Sequence, residues 1–211
     1  MRSALVFPAL LLVALAAAPA QEAGRGRAIA ENGTNDVAAC AACHGPDGQS
    51  NGNDQFPRLA GLQAAYLQKQ LEDYASGARR NEIMTPIAQS LRQQERRDLA
   101  AWYASLPGGG PAPGASASEE ERQRGARVFN LGDAGRGLQA CVNCHGANGA
   151  GLGPLNPSLA GQWPAYARGQ FEAWRQGGRA NDVAGVMREI AGRISDADLA
   201  AVSAWLAQQG R

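Results

Sequence analysis

Beyond its first twenty residues the chain has no apolar run long enough to cross a bilayer, so a soluble mature protein is expected. It also lacks an excess of one charge: 20 basic side chains stand against 19 acidic ones. No basic surface of the kind that binds nucleic acid is therefore expected. Strict alternation of apolar and polar residues is missing too, which argues against β-strands. Histidine is scarce, with only His44 and His145 in 211 residues. Methionine is as scarce, only Met84 and Met187 remaining once Met1 is set aside.

The first twenty residues differ from the rest. Arg2 precedes an apolar run from Ala4 to Ala18 that closes on Ala18-Pro19-Ala20. A basic start, a short apolar stretch and an Ala-x-Ala end describe a secretory signal peptide, with the mature chain starting at Gln21. A retained N-terminal anchor is the alternative. Removal of residues 1–20 takes Arg2 and no acid, leaving nineteen charges of each sign and a formal net charge of zero. The expectation is an exported protein of the periplasm, associated with a membrane at most peripherally, with no nucleic acid partner; a monomer is expected, although the sequence does not set the oligomeric state.

The four cysteines form two pairs, Cys40/Cys43 and Cys141/Cys144, each followed at once by a histidine, His44 and His145. The repetition extends well beyond them. Pro57-Arg58-Leu59-Ala60-Gly61 matches Pro157-Ser158-Leu159-Ala160-Gly161, Tyr66 matches Tyr166, and Arg79 with Asn81 matches Arg179 with Asn181. Met84 matches Met187, and Trp102 matches Trp205. The offset is 101 at the cysteines, 100 in the middle and 103 from the methionine onward, so the second copy carries three extra residues near Ala184-Gly185-Val186. Between the copies, residues 107–117 are rich in Pro, Gly and small side chains, which marks a linker without core-forming residues. This divides the chain into a signal peptide (1–20), a first domain (21–106), the linker (107–117) and a second domain (118–211). Domains this small need a staple such as a metal or cofactor.

The pattern within each copy is helical. Tyr66, Leu67, Gln70, Leu71 and Tyr74 share a face at spacings of three and four, as do Tyr166, Gln170, Phe171 and Trp174. Short helices are expected around Gly26–Asn32 and Glu121–Asn130. A last helix in each half runs from Gln93 to Ser105 and from a capping pattern at Ser195/Asp198. Gly45–Asn53, Gly146–Asn156 and both methionine segments read as loops.

Cys-x-x-Cys-His is the attachment motif of c-type haem. Two thiols add to the two vinyl groups of the porphyrin, and the adjacent imidazole reaches the iron. Three other readings compete. A thioredoxin-like site belongs in a strand-helix sheet fold. Zinc would find only two cysteines and one histidine per copy, at poor spacing. Plain disulfides would leave the histidines without a role. Duplication of the whole motif favours two covalently bound haem c groups. Met84 and Met187 lie 40 and 42 residues after their histidines, at corresponding places, and are the candidates for the sixth iron ligand. A five-coordinate haem is the rival at either site.

These residues resemble the class I cytochrome c pattern, and their duplication resembles di-haem cytochrome c4. The shared pattern is a haem motif, a Pro-x-Leu-Ala-Gly segment with a tyrosine beyond it, a methionine segment and a last helix rich in Leu, Ala and aromatics. The resemblance implies an all-α fold of two tandem class I cytochrome c domains, each wrapped around one haem. It implies that the carbonyls of Pro57 and Pro157 accept from the Nδ1 protons of His44 and His145. It makes Tyr66, Tyr166, Arg79 and Arg179 candidates for contact with haem propionates, against an alternative of core-edge tyrosines and solvated arginines. Trp102 and Trp205 read as packing residues, and Trp163 and Trp174 receive no role. Family members often carry a second methionine beside the ligand, whereas Met84 and Met187 stand alone. The implied function is one-electron transport rather than enzyme catalysis. The carrier would stand between a membrane cytochrome bc complex and a terminal oxidase. Alternatively it is the electron-transfer subunit of a periplasmic dehydrogenase, or a di-haem peroxidase.

Overall fold

The computed structural model describes the backbone of residues 14–114 and 116–210. The expected signal peptide therefore lies for the most part outside the described residues. Within them the chain is helical, with only isolated β-bridges beside the helices. In the first half these are α1 (Ala14–Asn32), α2 (Ala41–His44), α3 (Ala64–Ser76), α4 (Met84–Ser90) and α5 (Gln93–Ser105). The second half repeats the order with α6 (Glu119–Leu131), α7 (Val142–His145), α8 (Pro164–Arg175), α9 (Val186–Arg193) and α10 (Asp196–Ala207). No described helix is long and apolar enough to cross a membrane.

Local chemistry sets several helix ends. Ser118 Oγ accepts from the Glu121 N–H at 3.2 Å while the Glu121 carboxylate accepts from the Ser118 N–H at 2.8 Å, a reciprocal cap that starts α6. Ser195 Oγ accepts from the Asp198 N–H at 3.2 Å at the start of α10. Here the box expected from the sequence is only half formed: the Asp198 carboxylate instead takes the Ser195 hydroxyl at 2.6 Å. Gly77 ends α3 in the left-handed region at φ 83°, where a side chain would be strained.

The methionine segments are helices, not loops. Asn81 Oδ1 accepts from the N–H groups of Ile83 and Met84 at 3.0 and 2.9 Å, which caps α4. Pro86 falls in the first turn, where its missing N–H costs nothing. In the second half the three additional residues form a 3-10 turn, Val183–Gly185, with Ala184 at φ 53° and Gly185 at φ 74°. Asp182 then accepts from the Arg188 N–H at 3.1 Å and steadies α9.

In each half the first and last long helices cross closely at a glycine. A Cβ on Gly26 would sit 1.9 Å from the Asp98 carbonyl oxygen, and one on Gly125 would sit 2.3 Å from that of Ala201. Beside each crossing an arginine locks the pair. Arg25 holds Asp98 through two bonds of 2.8 and 2.7 Å, and Arg124 holds Asp198 at 2.8 Å. Leu62, Leu67, Leu91, Leu99 and Tyr103 fill the first core; Val128, Phe129, Leu138, Ile194, Leu199 and Leu206 fill the second.

The linker departs from the sequence expectation. Ala112 is buried with Trp163 and Ala207, and its N–H donates to the Ala207 carbonyl at 2.7 Å. Arg58, also buried, donates to Gln49 Oε1 and to the Gly110 carbonyl at 2.8 Å each, and to the Gly161 carbonyl. One side chain thus ties the first domain, the linker and the second domain together.

Candidate haem sites

Each Cys-x-x-Cys-His segment forms one tight helical turn, α2 or α7, that sets both thiols and the imidazole on one cavity wall. Gly45 and Gly146 follow at φ 78° and 71°, a turn direction that glycine takes without strain. His44 Nδ1 lies 3.0 Å from the Pro57 carbonyl oxygen, and His145 Nδ1 lies 2.9 Å from that of Pro157. A carbonyl can only accept, so Nδ1 carries the proton and Nε2 keeps its lone pair for a ligand. Burial pushes both imidazoles below their ordinary pKa, against the pull of these carbonyls, and keeps them neutral.

Met84 and Met187 line the same cavity as the motifs, with Tyr66, Tyr166, Arg79 and Arg179. Its volume is about 810 Å³, and its lining is continuous across the two halves. Ile83, Leu155, Val183 and Val186 also border it and are exposed, so it opens to the surface along both methionine segments.

The two arginines meet where the halves join. Arg79 and Arg179 pair as an antiparallel bridge; the Arg80 N–H donates to the Gly178 carbonyl at 2.9 Å and the Ala180 N–H to that of Ala78 at 3.2 Å. Their side chains cross over with near two-fold symmetry. Arg79 donates to Gln70 Oε1 at 2.8 Å and to the Tyr166 hydroxyl at 2.9 Å. Arg179 donates to Gln170 Oε1 at 3.0 Å and to the Tyr66 hydroxyl at 3.2 Å. Arg79 lies over the Tyr74 ring at 4.5 Å, and Arg179 over the Trp174 ring at 4.1 Å. Trp174, left without a role in the sequence, is therefore the counterpart of Tyr74, each ring lying under one arginine in a cation–π contact. Both guanidinium groups are buried, so the picture of solvated arginines is ruled out. Among the described residues neither forms an ion pair with a carboxylate. Burial disfavours the charge on Arg79, but the tyrosines around it, Tyr166 first, outweigh burial and raise its pKa. Two buried cations side by side without an anion suit a ligand that brings carboxylates.

Residues that the sequence did not single out complete the junction. Gln162 Oε1 accepts from the Arg58 N–H at 3.0 Å, and Gln162 Nε2 donates to the Arg58 carbonyl at 3.1 Å. Gln63 Nε2 donates to the Asn156 carbonyl at 3.3 Å. Gln70 and Gln170 were visible as members of helix faces, and their matched positions were the signal. Arg58 had none, because Ser158 occupies its place in the second copy.

The rival chemistries find no support in this geometry. No disulfide joins any two of the four cysteines. Burial raises the pKa of Cys40, and pushes Cys141 up to about 11, whereas a thioredoxin-like thiol needs a lowered value. The donor set fits haem c: paired thiols, a neutral buried imidazole, a methionine and paired cations, all lining one apolar cavity. A helical chain with this set in each half is a pair of tandem class I cytochrome c domains that binds two haem c groups covalently.

Comparison with known proteins agrees. Residues 23–107 match the family model "Cytochrome c", and residues 121–206 match "Cytochrome C oxidase, cbb3-type, subunit III". The chain is 43% identical to cytochrome c4 of Thiocapsa roseopersicina, over 79% of this chain and 85% of that protein. It is 42% identical to the thiosulfate dehydrogenase electron acceptor of Thiomonas intermedia, over 82% of this chain and 80% of that one. The crystal structure of reduced cytochrome c4 from Pseudomonas stutzeri superposes with a TM-score of 0.77 at 33% identity, covering 90% of this chain and 98% of that chain. The chain belongs to the cytochrome c4 family of di-haem electron carriers.

Proposed function

We propose that this protein is a periplasmic one-electron shuttle that performs no catalysis of its own. Cys40 and Cys43 would hold one haem and Cys141 and Cys144 the other. His44 with Met84, and His145 with Met187, would close the two faces of each iron. Haem c supplies a reversible one-electron couple of iron. The observation that carries the reading is the continuous cavity lined by both sets of these residues.

Every other part of the work falls to the chain. The Pro57 and Pro157 carbonyls fix each imidazole and raise its basicity. As ligands, Met84 and Met187 would leave no open coordination position for oxygen or peroxide, which would favour a carrier over a peroxidase. Thioether sulfur opposite imidazole favours the reduced form and raises the potential. Arg79 and Arg179, with Tyr66 and Tyr166, would receive the propionates of both haems at the junction, which supports electron exchange between the halves. The cavity mouth along Ile83, Leu155, Val183 and Val186 supports outer-sphere exchange with a partner protein.

On this reading the donor is a membrane cytochrome bc complex and the acceptor a terminal oxidase. A second reading is favoured by one observation, the 42% identity to a protein named as a thiosulfate dehydrogenase electron acceptor. In it a periplasmic dehydrogenase on another chain supplies the electrons. One experiment tests the carrier reading and separates the two donors. The purified oxidised protein, with haem counted per chain, is mixed in turn with a reduced bc complex and with a thiosulfate dehydrogenase plus thiosulfate. Two haems per chain, a low-spin reduced spectrum and fast reduction by one donor are expected. A high-spin spectrum responsive to carbon monoxide, with turnover of peroxide, would overturn the shuttle.

A further inference from the structure

The two halves differ at one buried position in the cavity wall. Tyr103 on α5 and Leu206 on α10 occupy the same place in the fold. The Tyr103 carbonyl accepts from the Gly61 N–H at 2.9 Å, and the Leu206 carbonyl accepts from the Gly161 N–H at 2.8 Å. Their side chains press on matching glycines. A Cβ on Gly48 would meet the Tyr103 ring at 3.0 Å, and one on Gly149 would meet the Leu206 methyl at 2.6 Å. Both side chains line the cavity. Only one of them carries a hydroxyl.

That hydroxyl is out of reach of solvent and, among the described residues, has no hydrogen-bond partner, while Cys40 packs against the same core cluster and, after burial, helps to push the phenol's pKa up. Once Cys40 is a thioether its sulfur has no proton and can only accept, weakly. The phenol must then donate to the sulfur or stay unpaired in an apolar wall, and the cost of a buried unpaired donor favours donation. A donor dipole with its positive end at the haem edge stabilises the state that holds the extra electron. No equivalent dipole exists at Cys141, where Leu206 offers only carbon.

We propose that Tyr103 sets the potential of the N-terminal haem, raising it by donating a hydrogen bond to the Cys40 thioether sulfur, and so makes the two halves of this carrier electronically unequal. Electrons would dwell longer in the N-terminal half than they would without the hydroxyl. The proposal rests on haem attachment at Cys40, one element of the function proposed above.

The test uses holoprotein carrying Tyr103→Phe, which keeps the ring and deletes the hydroxyl, and Tyr103→Leu, which copies the second half. Intact mass counts the haems, and an optical redox titration resolves the two one-electron steps. The N-terminal step is identified as the one displaced by Met84→His. Tyr103→Phe should lower that step and leave the other in place, with the full haem content retained. Tyr103→Leu should move it the same way. An unshifted N-terminal step in the Phe variant, or equal shifts of both steps, would overturn the proposal. Loss of haem from the Phe variant would overturn it too, since Tyr103 would then serve attachment. A wild-type mass with no haem on Cys40 would instead refute the attachment reading itself.

Discussion

Asp98 and Asp198 stand at matching places in the two halves, and each answers arginines from the helix that opens its domain or the turn just after it. Burial works against an ionised Asp98, but the Arg25 guanidinium and the Gln94 amide outweigh it and hold its carboxyl below the ordinary range. Asp198 has the same balance, with burial opposed by Ser195, Arg124 and Arg136. A folded-state pKa below the unfolded value, about 3.9 for aspartate, means that the stabilisation is complete above that value. It disappears as pH falls through the lower folded value. Asp98→Asn with Asp198→Asn should therefore lower the denaturant midpoint at neutral pH and flatten its decline below about pH 4. Denaturant curves collected between acid and neutral pH check this; an acid limb as steep as the wild type would refute it. The methionine assignment is tested at the same scale. Met84→Ala should make one haem of the two bind carbon monoxide and leave the other silent, as read from difference spectra. At this scale the sequence was most informative where chemistry demands fixed spacing. Cys-x-x-Cys-His could be read in it because one helical turn brings its residues together, whereas the histidine–proline pairs followed only from the family resemblance. Arg58, Gln162 and Tyr103 could not be read, since each acts across a junction or has no counterpart of its own type in the other copy.

Helix crossings carry the next level of organisation. Gly26 lets α1 lie on the Asp98–Trp102 stretch of α5, and Gly125 lets α6 lie on the Ala201–Trp205 stretch of α10. A methyl group at either glycine meets backbone, which cannot rotate away, so the helices must separate and lose contact along their length. Gly26→Ala and Gly125→Ala should each cost about 1–3 kcal/mol, seen as a lower thermal midpoint. An unchanged midpoint would show that the crossings are looser than the structure indicates. The sequence did show the long helices, because apolar periodicity over ten residues or more is a strong signal; the last helix of the first half runs from Gln93 to Ser105 as expected. It concealed the helices of the methionine segments. Both are short, one has Pro86 inside, and they are started by the side chains of Asn81 and Asp182, which also serve turns. A capping residue in front of a short segment gives the same pattern whether a helix or a turn follows.

Buried polar groups join the two halves into one body. Residues 107–117 lack large apolar side chains, which is why they read as a free linker, yet Ala112 is buried and Gly110 is gripped by Arg58. Small residues allow that grip: a Cβ on Gly109 would lie 1.7 Å from the Arg58 guanidinium. Glycine content thus signals close approach here rather than freedom, a distinction that composition cannot make. Arg58 has no carboxylate partner among the described residues, and burial lowers its pKa. It is held by carbonyl and amide oxygens alone, from Gln49, Gly110 and Gly161. Arg58→Ala removes those bonds together and leaves carbonyl groups buried on both sides of the junction, at about 1–3 kcal/mol for each one that water cannot reach. Each half keeps its own core, its own crossing and its own arginine–aspartate pair, so the cost falls on the junction. The wild-type holoprotein should unfold in one calorimetric transition. Arg58→Ala should broaden or split it, with the amide proton of Ala112 exchanging faster than those inside α10. Should the transition stay single and the Ala112 amide stay protected, the guanidinium is incidental. The coupling of the halves would then rest on the crossed pairs of Arg79 with Tyr166 and Arg179 with Tyr66.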